Sequence, residues 1–313
     1  MSLIEENFGN KINKVDIAIQ RIKLADLADE PLYVCYSGGK DSKVVRRLVE
    51  MTCVDHELHY SMTTVDHPPV VREILDDEKV IVEKPRYEDG KQITMWNLIQ
   101  RRGIPPTQIC RYCCSELKES GGVGRLCVTG VRKAEGVQRT LNGGEVKILN
   151  GKQVKKFAKR IEADIEYADT PKGGIVMNLD NDENRRIVEL CYRKHKTPIN
   201  PITDWTDEDV WEFSRAENIK QSDLYIENGG EYKRLGCIGC PMASIKEREK
   251  EFADYPKIKE QYIKTFDKML KKHKDKSKHT SWVDGQHVFD WWLYRKGNDN
   301  MKIEDLLEEN DFL

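Results

Sequence analysis

Three groups of residues have the types and spacing to do chemistry. The first is Ser37-Gly38-Gly39-Lys40-Asp41-Ser42. It follows the apolar run Leu32-Tyr33-Val34-Cys35-Tyr36 and precedes a segment that sets Val44, Val45, Leu48 and Val49 on one helical face. The pattern is a turn from a buried strand into a helix. Two glycines let the backbone turn tightly and approach an anion closely. Successive N–H groups then form a nest, and the helix N-terminus adds partial positive charge. With donors from Ser37, Lys40 and Ser42, this is a cradle for polyphosphate or sulfate. The GxxxxGK[ST] spacing of a Walker A loop is absent.

The second group is cysteine. Five of the nine cysteines cluster, as Cys110, Cys113 and Cys114, and as Cys237 and Cys240. The opening Met-Ser-Leu-Ile-Glu-Glu has early acids and no apolar core of a secretory leader, so a reducing, cytoplasmic location is expected. Disulfides are not expected there, and clustered cysteines are read first as metal or redox ligands. The two pairs lie too far apart for a zinc ribbon, so spacing alone leaves iron–sulfur, zinc and no metal open. Cys35, Cys53, Cys127 and Cys191 sit in apolar contexts and read as small buried hydrophobes. The third group is basic: Gly130-Val131-Arg132-Lys133-Ala134-Glu135, followed by Arg139. His56-Glu57-Leu58-His59 places its second histidine one residue too early for a HExxH zinc site. His67, beside Pro68-Pro69, reads as a loop position that could line the site.

These groups need elements to position them. Further strands are expected at Leu58–Thr63, Val80–Val82 and Leu126–Thr129, with helices over 11–28, Pro69–Asp76 and Thr94–Arg101. The alternation predicts an α/β fold with a mainly parallel sheet and helices on both faces. From Gly136 to Asp182 the pattern breaks into NGG, NGK, a basic run from Lys152 to Arg160, and KGG, which reads as an insertion. Thr206-Asp207-Glu208-Asp209 reads as a helix cap with first-turn acids, and the chain from there is expected to be mostly helical. The aromatics Trp282, Phe289, Trp291, Trp292 and Tyr294 read as packing. The expected organisation is an N-terminal helix in 1–30, a nucleotide-binding domain in 31–243 with an insertion around 136–182, and a helical C-terminal region in 244–313.

Charge sets the remaining bounds. With 52 basic and 54 acidic residues the net charge is −2, which excludes nucleic-acid binding by bulk charge but not a local basic groove. No apolar run reaches the roughly 18–20 residues of a membrane span. The lysine-rich runs at 152–160 and 264–278 read as solvated helix faces. The first is where phosphate contacts are expected if the acceptor is nucleic acid.

SGGKDS after a strand resembles the PP-loop of the ATP-pyrophosphatase superfamily, whose fold is that of the adenine nucleotide alpha-hydrolases. Further segments narrow the resemblance to the phosphoadenosine phosphosulfate (PAPS) reductase family. Thr63-Thr64-Val65-Asp66 resembles its second strand end, which faces the nucleotide. Cys113-Cys114-Ser115-Glu116-Leu117-Lys118 resembles its CC-x-x-[KR] segment. Gly130 to Glu135 with Arg139 resembles G-x-R-x-x-E…R. Asn200-Pro201-Ile202-Thr203-Asp204-Trp205 with Asp209-Val210-Trp211 resembles NPI-x-DW…DVW. Leu224-Tyr225 and Arg234-Leu235-Gly236-Cys237-Ile238-Gly239-Cys240-Pro241 resemble LY…R-[IL]-G-C-x-x-C.

The resemblance implies a Rossmann-like adenine-nucleotide fold and an adenine-nucleotide substrate. ATP is the leading nucleotide, held by Ser37, Gly38, Gly39, Lys40, Asp41, Ser42, Asp66, Gly130, Arg132 and Arg139. Asp41 would place Mg²⁺, with Lys40, Asp41 and Arg132 as the catalytic set. It further implies a [4Fe–4S] cluster on Cys113, Cys114, Cys237 and Cys240, with Cys110 as an alternative ligand and zinc as an alternative metal. Reductases of this family carry a nucleophilic cysteine in a C-terminal ECGLH-like segment, and no cysteine follows Cys240 here. The profile is closer to the sulfur-transfer enzymes of DNA phosphorothioation (DndC-like). The expected activity is therefore ATP cleavage at the α-phosphate, releasing AMP and pyrophosphate, for sulfur transfer. A nucleic acid acceptor and a cysteine desulfurase or other sulfur-donor protein are the implied partners. A PAPS or adenylylsulfate reductase-like enzyme, and a non-catalytic nucleotide-binding subunit of a modification or defence complex, are the alternatives.

Overall fold

The computed structural model describes residues 3–7, 10–23, 30–108, 110–135, 146–148, 166–169, 175–178, 197–275 and 282–294. In chain order the strands and α-helices are β1 (Ile4–Asn7), β2 (Asn10–Asn13), α1 (Lys14–Lys23), β3 (Leu32–Cys35), α2 (Lys40–Thr52), β4 (His56–Ser61), α3 (Pro68–Leu75), β5 (Val80–Glu83), α4 (Met95–Arg102), β6 (Leu126–Val128), β7 (Val146–Ile148), β8 (Glu166–Asp169), β9 (Ile175–Asn178), β10 (Thr197–Ile199), α5 (Asp207–Ala216), α6 (Ile245–Asp254), α7 (Pro256–Asp275) and α8 (Gly285–Tyr294). They fall into two compact units. The first comprises Met1–Ser61, Pro68–Glu83 and Ser120–Leu235; the second comprises Met62–His67, Lys84–Glu119 and Gly236–Leu313.

The first unit is built on a five-stranded sheet in the order β10-β6-β3-β4-β5, with every neighbouring pair parallel. Its apolar face sets Leu32, Val34, Leu58, Tyr60, Val80 and Val128 in the core, and α2 contributes Val44, Val45, Leu48 and Val49. The strand order explains where a ligand can go. From β3 the chain runs outward to β4 and β5, then returns to β6 and β10 on the other side, so the order reverses between β3 and β6. In open α/β sheets that reversal leaves a crevice at the carboxyl ends of the strands. The Ser37–Ser42 loop leaves the end of β3, and Gly130-Val131-Arg132 follows the end of β6.

The other sheet face is polar. Tyr33 stacks on His59 with ring centroids 3.9 Å apart, and its hydroxyl donates to Glu83 Oε2 at 2.8 Å. His59 lies between Glu83 (2.9 Å from Nδ1) and Glu57 (3.1 Å from Nε2). The second histidine of the His56–His59 segment is thus a member of a sheet network.

Residues 11–13 were expected to be helical but belong to β2, which pairs antiparallel with β1 from Ile4↔Asn13 to Asn7↔Asn10. The helix starts only at Lys14, where Asn13 Oδ1 accepts from the Val15 amide at 3.2 Å. Strand pairing there outweighs the helical spacing of the apolar residues. Cys53 also departs from expectation: it is exposed, at the left-handed C-cap of α2 (φ 56°). Cys127 is buried and Cys35 half-buried. Within the expected insertion, β7, β9 and β8 form a three-stranded antiparallel sheet. The Lys152–Arg160 run, Arg139 and Cys191 lie outside the described residues.

The second unit is helical. Thr94 and Asn97 form a reciprocal capping box at the start of α4. α7 packs against α4, α6 and α8, burying Tyr262, Phe266, Met269 and Leu270 with Phe252, Phe289 and Trp292. Tyr262 and Trp292 lie 4.8 Å apart by ring centroids, and the indole N–H of Trp292 donates to Pro106 O at 2.6 Å. Trp282, Phe289 and Trp292 are therefore packing residues. No helix among the described residues is long and apolar enough to cross a membrane.

Candidate active site

The loop at the end of β3 turns on Gly38, whose φ is +72°. A Cβ there would also lie 2.7 Å from Val70 and 2.9 Å from Ile74, so both backbone conformation and α3 packing require glycine. Gly39 is the N-cap of α2 and supplies no side-chain cap. Tyr225 Oη takes the Lys40 amide at 2.9 Å, and the Lys43 amide bonds to Gly39 O at 3.0 Å. The amides of Asp41 and Ser42 remain in the first turn for an incoming anion. Ser42 Oγ donates to Gly39 O at 2.8 Å and accepts from the Ser37 amide at 3.3 Å, which holds the loop closed on itself.

Four charged side chains meet at this loop. Arg132, 2% exposed, donates from Nε to Asp41 Oδ1 at 2.6 Å and from Nη2 to Asp207 Oδ1 at 2.7 Å. Lys40 Nζ lies 2.9 Å from Asp207 Oδ1 and 3.4 Å from Asp41 Oδ2. Partial burial raises the Asp207 pKa, but Lys40 and Arg132 outweigh it and hold the carboxyl below its ordinary range. Gly130 permits the approach of the Arg132 segment, because a Cβ there would stand 3.1 Å from the Asp41 Cβ. The structure brings Ser37, Gly38, Gly39, Lys40, Asp41, Ser42, Gly130 and Arg132 into one site. Sequence reasoning missed Asp207, which reads only as a first-turn helix acid, and the capping role of Tyr225.

Arg132 is itself held. Its Nη1 donates to Trp205 O at 3.3 Å, and the Lys133 amide donates to Thr203 O at 2.8 Å. The Asn200–Trp205 turn that offers these carbonyls is fixed by Arg21 of α1. Arg21 forks onto Asp204 at 2.7 and 3.0 Å and donates to Pro201 O at 2.6 Å. The Arg21 side chain is fully buried, and breaking such a pair costs about 3–5 kcal/mol. Arg21→Gln is therefore expected to lower the urea midpoint and to weaken anion binding at the Ser37–Ser42 loop together. Unchanged affinity in a folded variant would show that the turn does not position Arg132.

The thiols assemble in the second unit. Cys113 precedes a five-residue π-helical turn, Cys114–Lys118, a geometry that recurs at functional sites. Arg111 donates to Cys114 Sγ at 3.5 Å. The hydrogen bond from Cys113 lowers the Cys114 pKa, helped by the Arg111 and Lys118 charges. The same hydrogen bond, with burial and the charges of Cys114, Cys237 and Cys240, raises Cys113. The shared hydrogen bond thus favours charge on Cys114 over Cys113. Burial pushes Cys237 up to about 12. Its Sγ lies 3.7 Å from both Thr63 Oγ1 and Asp66 Oδ1, and the Lys118 pKa is raised chiefly by the Cys237 charge. Burial also raises Cys110.

Asp66, expected at the nucleotide, is placed with the cysteines: it forms an antiparallel bridge with Cys237, and the Ile238 amide donates to Val65 O at 2.8 Å. His67 is buried, 3.3 Å from the Tyr255 hydroxyl, and burial lowers its pKa to about 4. Gly239 turns the Cys237–Cys240 segment at φ +76°, and its amide donates to buried Glu251 at 2.7 Å.

Among the described residues, no group of three or more His, Cys, Asp or Glu side chains is arranged to hold one metal ion. A zinc site would need four ligand atoms close to one ion, sulfurs at about 2.3 Å. An iron–sulfur cluster makes a different demand: one thiolate for each iron of a larger body. Cys113, Cys114, Cys237 and Cys240 supply the type and number of sulfur donors such a cluster takes, and Arg111 and Lys118 lie beside Cys114 and Cys237.

A family model described as phosphoadenosine phosphosulfate reductase domain matches residues 31–243. The chain is 23% identical over 282 residues to the uncharacterized protein MJ0973 of Methanocaldococcus jannaschii, covering 88% of this chain and 55% of that one. It is 22% identical to that organism's uncharacterized protein MJ0066, over 87% of this chain and 47% of the relative. The chain thus spans about half the length of these two curated relatives. An adenosine 5'-phosphosulfate reductase of Staphylococcus epidermidis is 22% identical over 75% of this chain and 84% of its own length. Among solved structures, a PAPS reductase from Candida auris in a phosphate complex aligns with TM-score 0.42 and 14% identity, over 70% of this chain and 87% of that one. The U34-tRNA thiolase NcsA from Methanococcus maripaludis, with its [4Fe–4S] cluster, aligns with TM-score 0.32 and 12% identity, over 97% and 92%.

Proposed function

The chain belongs to the phosphoadenosine phosphosulfate reductase domain family, and from that premise we propose that it cleaves ATP at the α-phosphate and uses the adenylate for sulfur transfer. The observation that carries this reading is the charge pattern at the Ser37–Ser42 loop. Lys40 and Arg132 are held by two carboxylates, Asp41 and Asp207. A bare anion gains from the cations but is opposed by the acids that hold them. A polyphosphate carrying a divalent cation satisfies both halves. Hard carboxylate oxygens suit Mg²⁺, and Asp207 is 62% exposed, within reach of an arriving ion. When bound, Mg²⁺ neutralises charge on the departing pyrophosphate.

The chain's own groups do the rest. The Asp41 and Ser42 amides and the α2 N-terminus receive the β- and γ-phosphates. Arg132 and Lys40 exchange carboxylate oxygens for phosphate oxygens, Arg132 with the bidentate geometry of a guanidinium. An acceptor oxygen attacks the α-phosphorus, the bond to the β-phosphate oxygen breaks, and pyrophosphate leaves. A sulfur nucleophile then displaces AMP from the adenylated acceptor. Cys113, Cys114, Cys237 and Cys240 would hold a [4Fe–4S] cluster, which supplies an iron site for sulfur or a structural fastening. Arg111 and Lys118 balance the thiolate charge there.

Reduction of a sulfonucleotide is the second reading, favoured by the family itself and by the Staphylococcus epidermidis relative. Anaerobic calorimetric titration separates the two. The proposal expects ATP to bind at least about tenfold more tightly than PAPS or adenylylsulfate, and to lose that preference when Mg²⁺ is removed. Tighter binding of PAPS or adenylylsulfate without Mg²⁺ contradicts it and selects the reductase.

A further inference from the structure

Within the second unit, α7 divides its surface sharply. One side is buried, through Tyr262, Thr265, Phe266, Met269 and Leu270. At about 100° per residue, Lys257, Lys264, Lys268, Lys271 and Lys272 fall in a stripe on the opposite side, and all five are exposed. The stripe is about 22 Å long at 1.5 Å per residue. The helix has seven lysines against three acids, in a chain whose net charge is −2.

Among the described residues the acids offset only part of the stripe. Glu260 is taken by Lys264 at 3.5 Å. Asp267 accepts from the Gly285 amide at 2.7 Å. Among the described residues no carboxylate pairs with Lys257, Lys268, Lys271 or Lys272. Lys259 points elsewhere, 5.4 Å from the centre of the Phe289 ring. Glu260 and Asp267 each stand four residues before a lysine, Lys264 and Lys271, but seven lysines against three acids leave the face in cationic excess.

We propose that this α7 stripe is a docking surface for a nucleic acid backbone. The inference names the acceptor class for the reaction proposed above and rests on that reading for the chemistry, while the surface stands on its own electrostatics. Membrane-surface helices pair a basic face with an apolar face buried in lipid. The apolar face of α7 is already buried in protein. What it offers is a row of flexible point charges, suited to backbone phosphates and indifferent to base sequence.

The test is fluorescence anisotropy of the full chain with a fluorescein-labelled 20-nucleotide RNA and a 20-base-pair DNA duplex, from 50 to 200 mM salt. Neutralising about four phosphates predicts a slope near −3.6 on duplex DNA in a log–log plot, so affinity falls about 100-fold over that range. The variant with Lys257, Lys268, Lys271 and Lys272 all changed to Gln should lose most of that slope. It should keep its melting temperature and its affinity for Mg·ATP, because these side chains point to solvent. No binding to either probe overturns the proposal, as does an unchanged slope in the folded variant. Binding to phosphatidylserine vesicles but to neither nucleic acid assigns the stripe to a membrane and overturns it equally. Loss of Mg·ATP cleavage in a chain that still binds RNA or DNA would reject the reaction and leave the surface standing.

Discussion

Replacing Asp41 by Asn is expected to slow ATP turnover by about 10²–10³-fold, the scale of removing one preorganised electrostatic group from a reacting site. The carboxylate meets Arg132 Nε at 2.6 Å and lies 3.4 Å from Lys40 Nζ. In the proposed reaction it turns to the divalent cation while those two side chains turn to phosphate. The substitution keeps the side-chain volume and leaves Arg132 its second carboxylate, Asp207, and the Trp205 carbonyl; the lost first-turn acid adds a cost of about 0.3–1 kcal/mol. The fold should therefore survive, and circular dichroism checks that. The sign of the binding change is as informative as the rate. Under the ATP reading, Asp41→Asn weakens Mg·ATP. Under the sulfonucleotide reading it frees Arg132 and tightens PAPS. AMP release and calorimetry on the same preparation distinguish the outcomes, and unchanged turnover would remove the loop from the mechanism.

The second large effect is at Gly239. A Cβ there would lie 2.5 Å from the Phe252 ring and 3.0 Å from Trp292, with φ at +76°. Phe252 and Trp292 are central aromatics of the second unit, 3% and 4% exposed, and neither can retreat without opening the core. Overpacking and a left-handed non-glycine residue each cost about 1–3 kcal/mol. Gly239→Ala should therefore destabilise the protein by several degrees in thermal melting. It should also turn Cys237 and Cys240 out of register with Cys113 and Cys114, because the Gly239 amide is anchored on Glu251 and the Ile238 carbonyl on the Tyr262 hydroxyl at 3.1 Å. Iron and sulfide per chain, after anaerobic reconstitution, should fall well below the unsubstituted protein. Full iron and sulfide content in a folded Gly239→Ala chain would mean that this turn does not present the ligands.

How much of this was legible in the sequence depended on whether the signal was local. The Ser37–Ser42 loop was readable because strand, glycine turn and helix are contiguous. The parallel sheet followed from short apolar runs alternating with amphipathic segments. The β1–β2 hairpin was not readable, because Ile12, Val15, Ala18 and Ile22 share a helical spacing that continues past the true start at Lys14. Asp207 was hidden for another reason. Its type and place are those of an ordinary helix-capping acid, and only the fold brings it to Lys40 and Arg132. The return of the chain to a cysteine site also defeats linear reading. Asp66 follows a strand of the first unit in sequence, yet pairs with Cys237 in the second. The thiol pairs themselves were visible as clusters. That Cys113 and Cys114 hydrogen-bond to each other, with Arg111 and Lys118 acting on Cys114, is visible only in the fold.

The most direct test of the central claim is the identity of the phosphorus products. The full chain, reconstituted anaerobically with iron and sulfide, is incubated with ATP, Mg²⁺, a persulfide donor and total cellular nucleic acid, and followed by ³¹P NMR. The account predicts AMP and pyrophosphate in equal amounts, dependent on Asp41. ADP with orthophosphate, or uncleaved ATP from a chain that releases sulfite from PAPS, would contradict it.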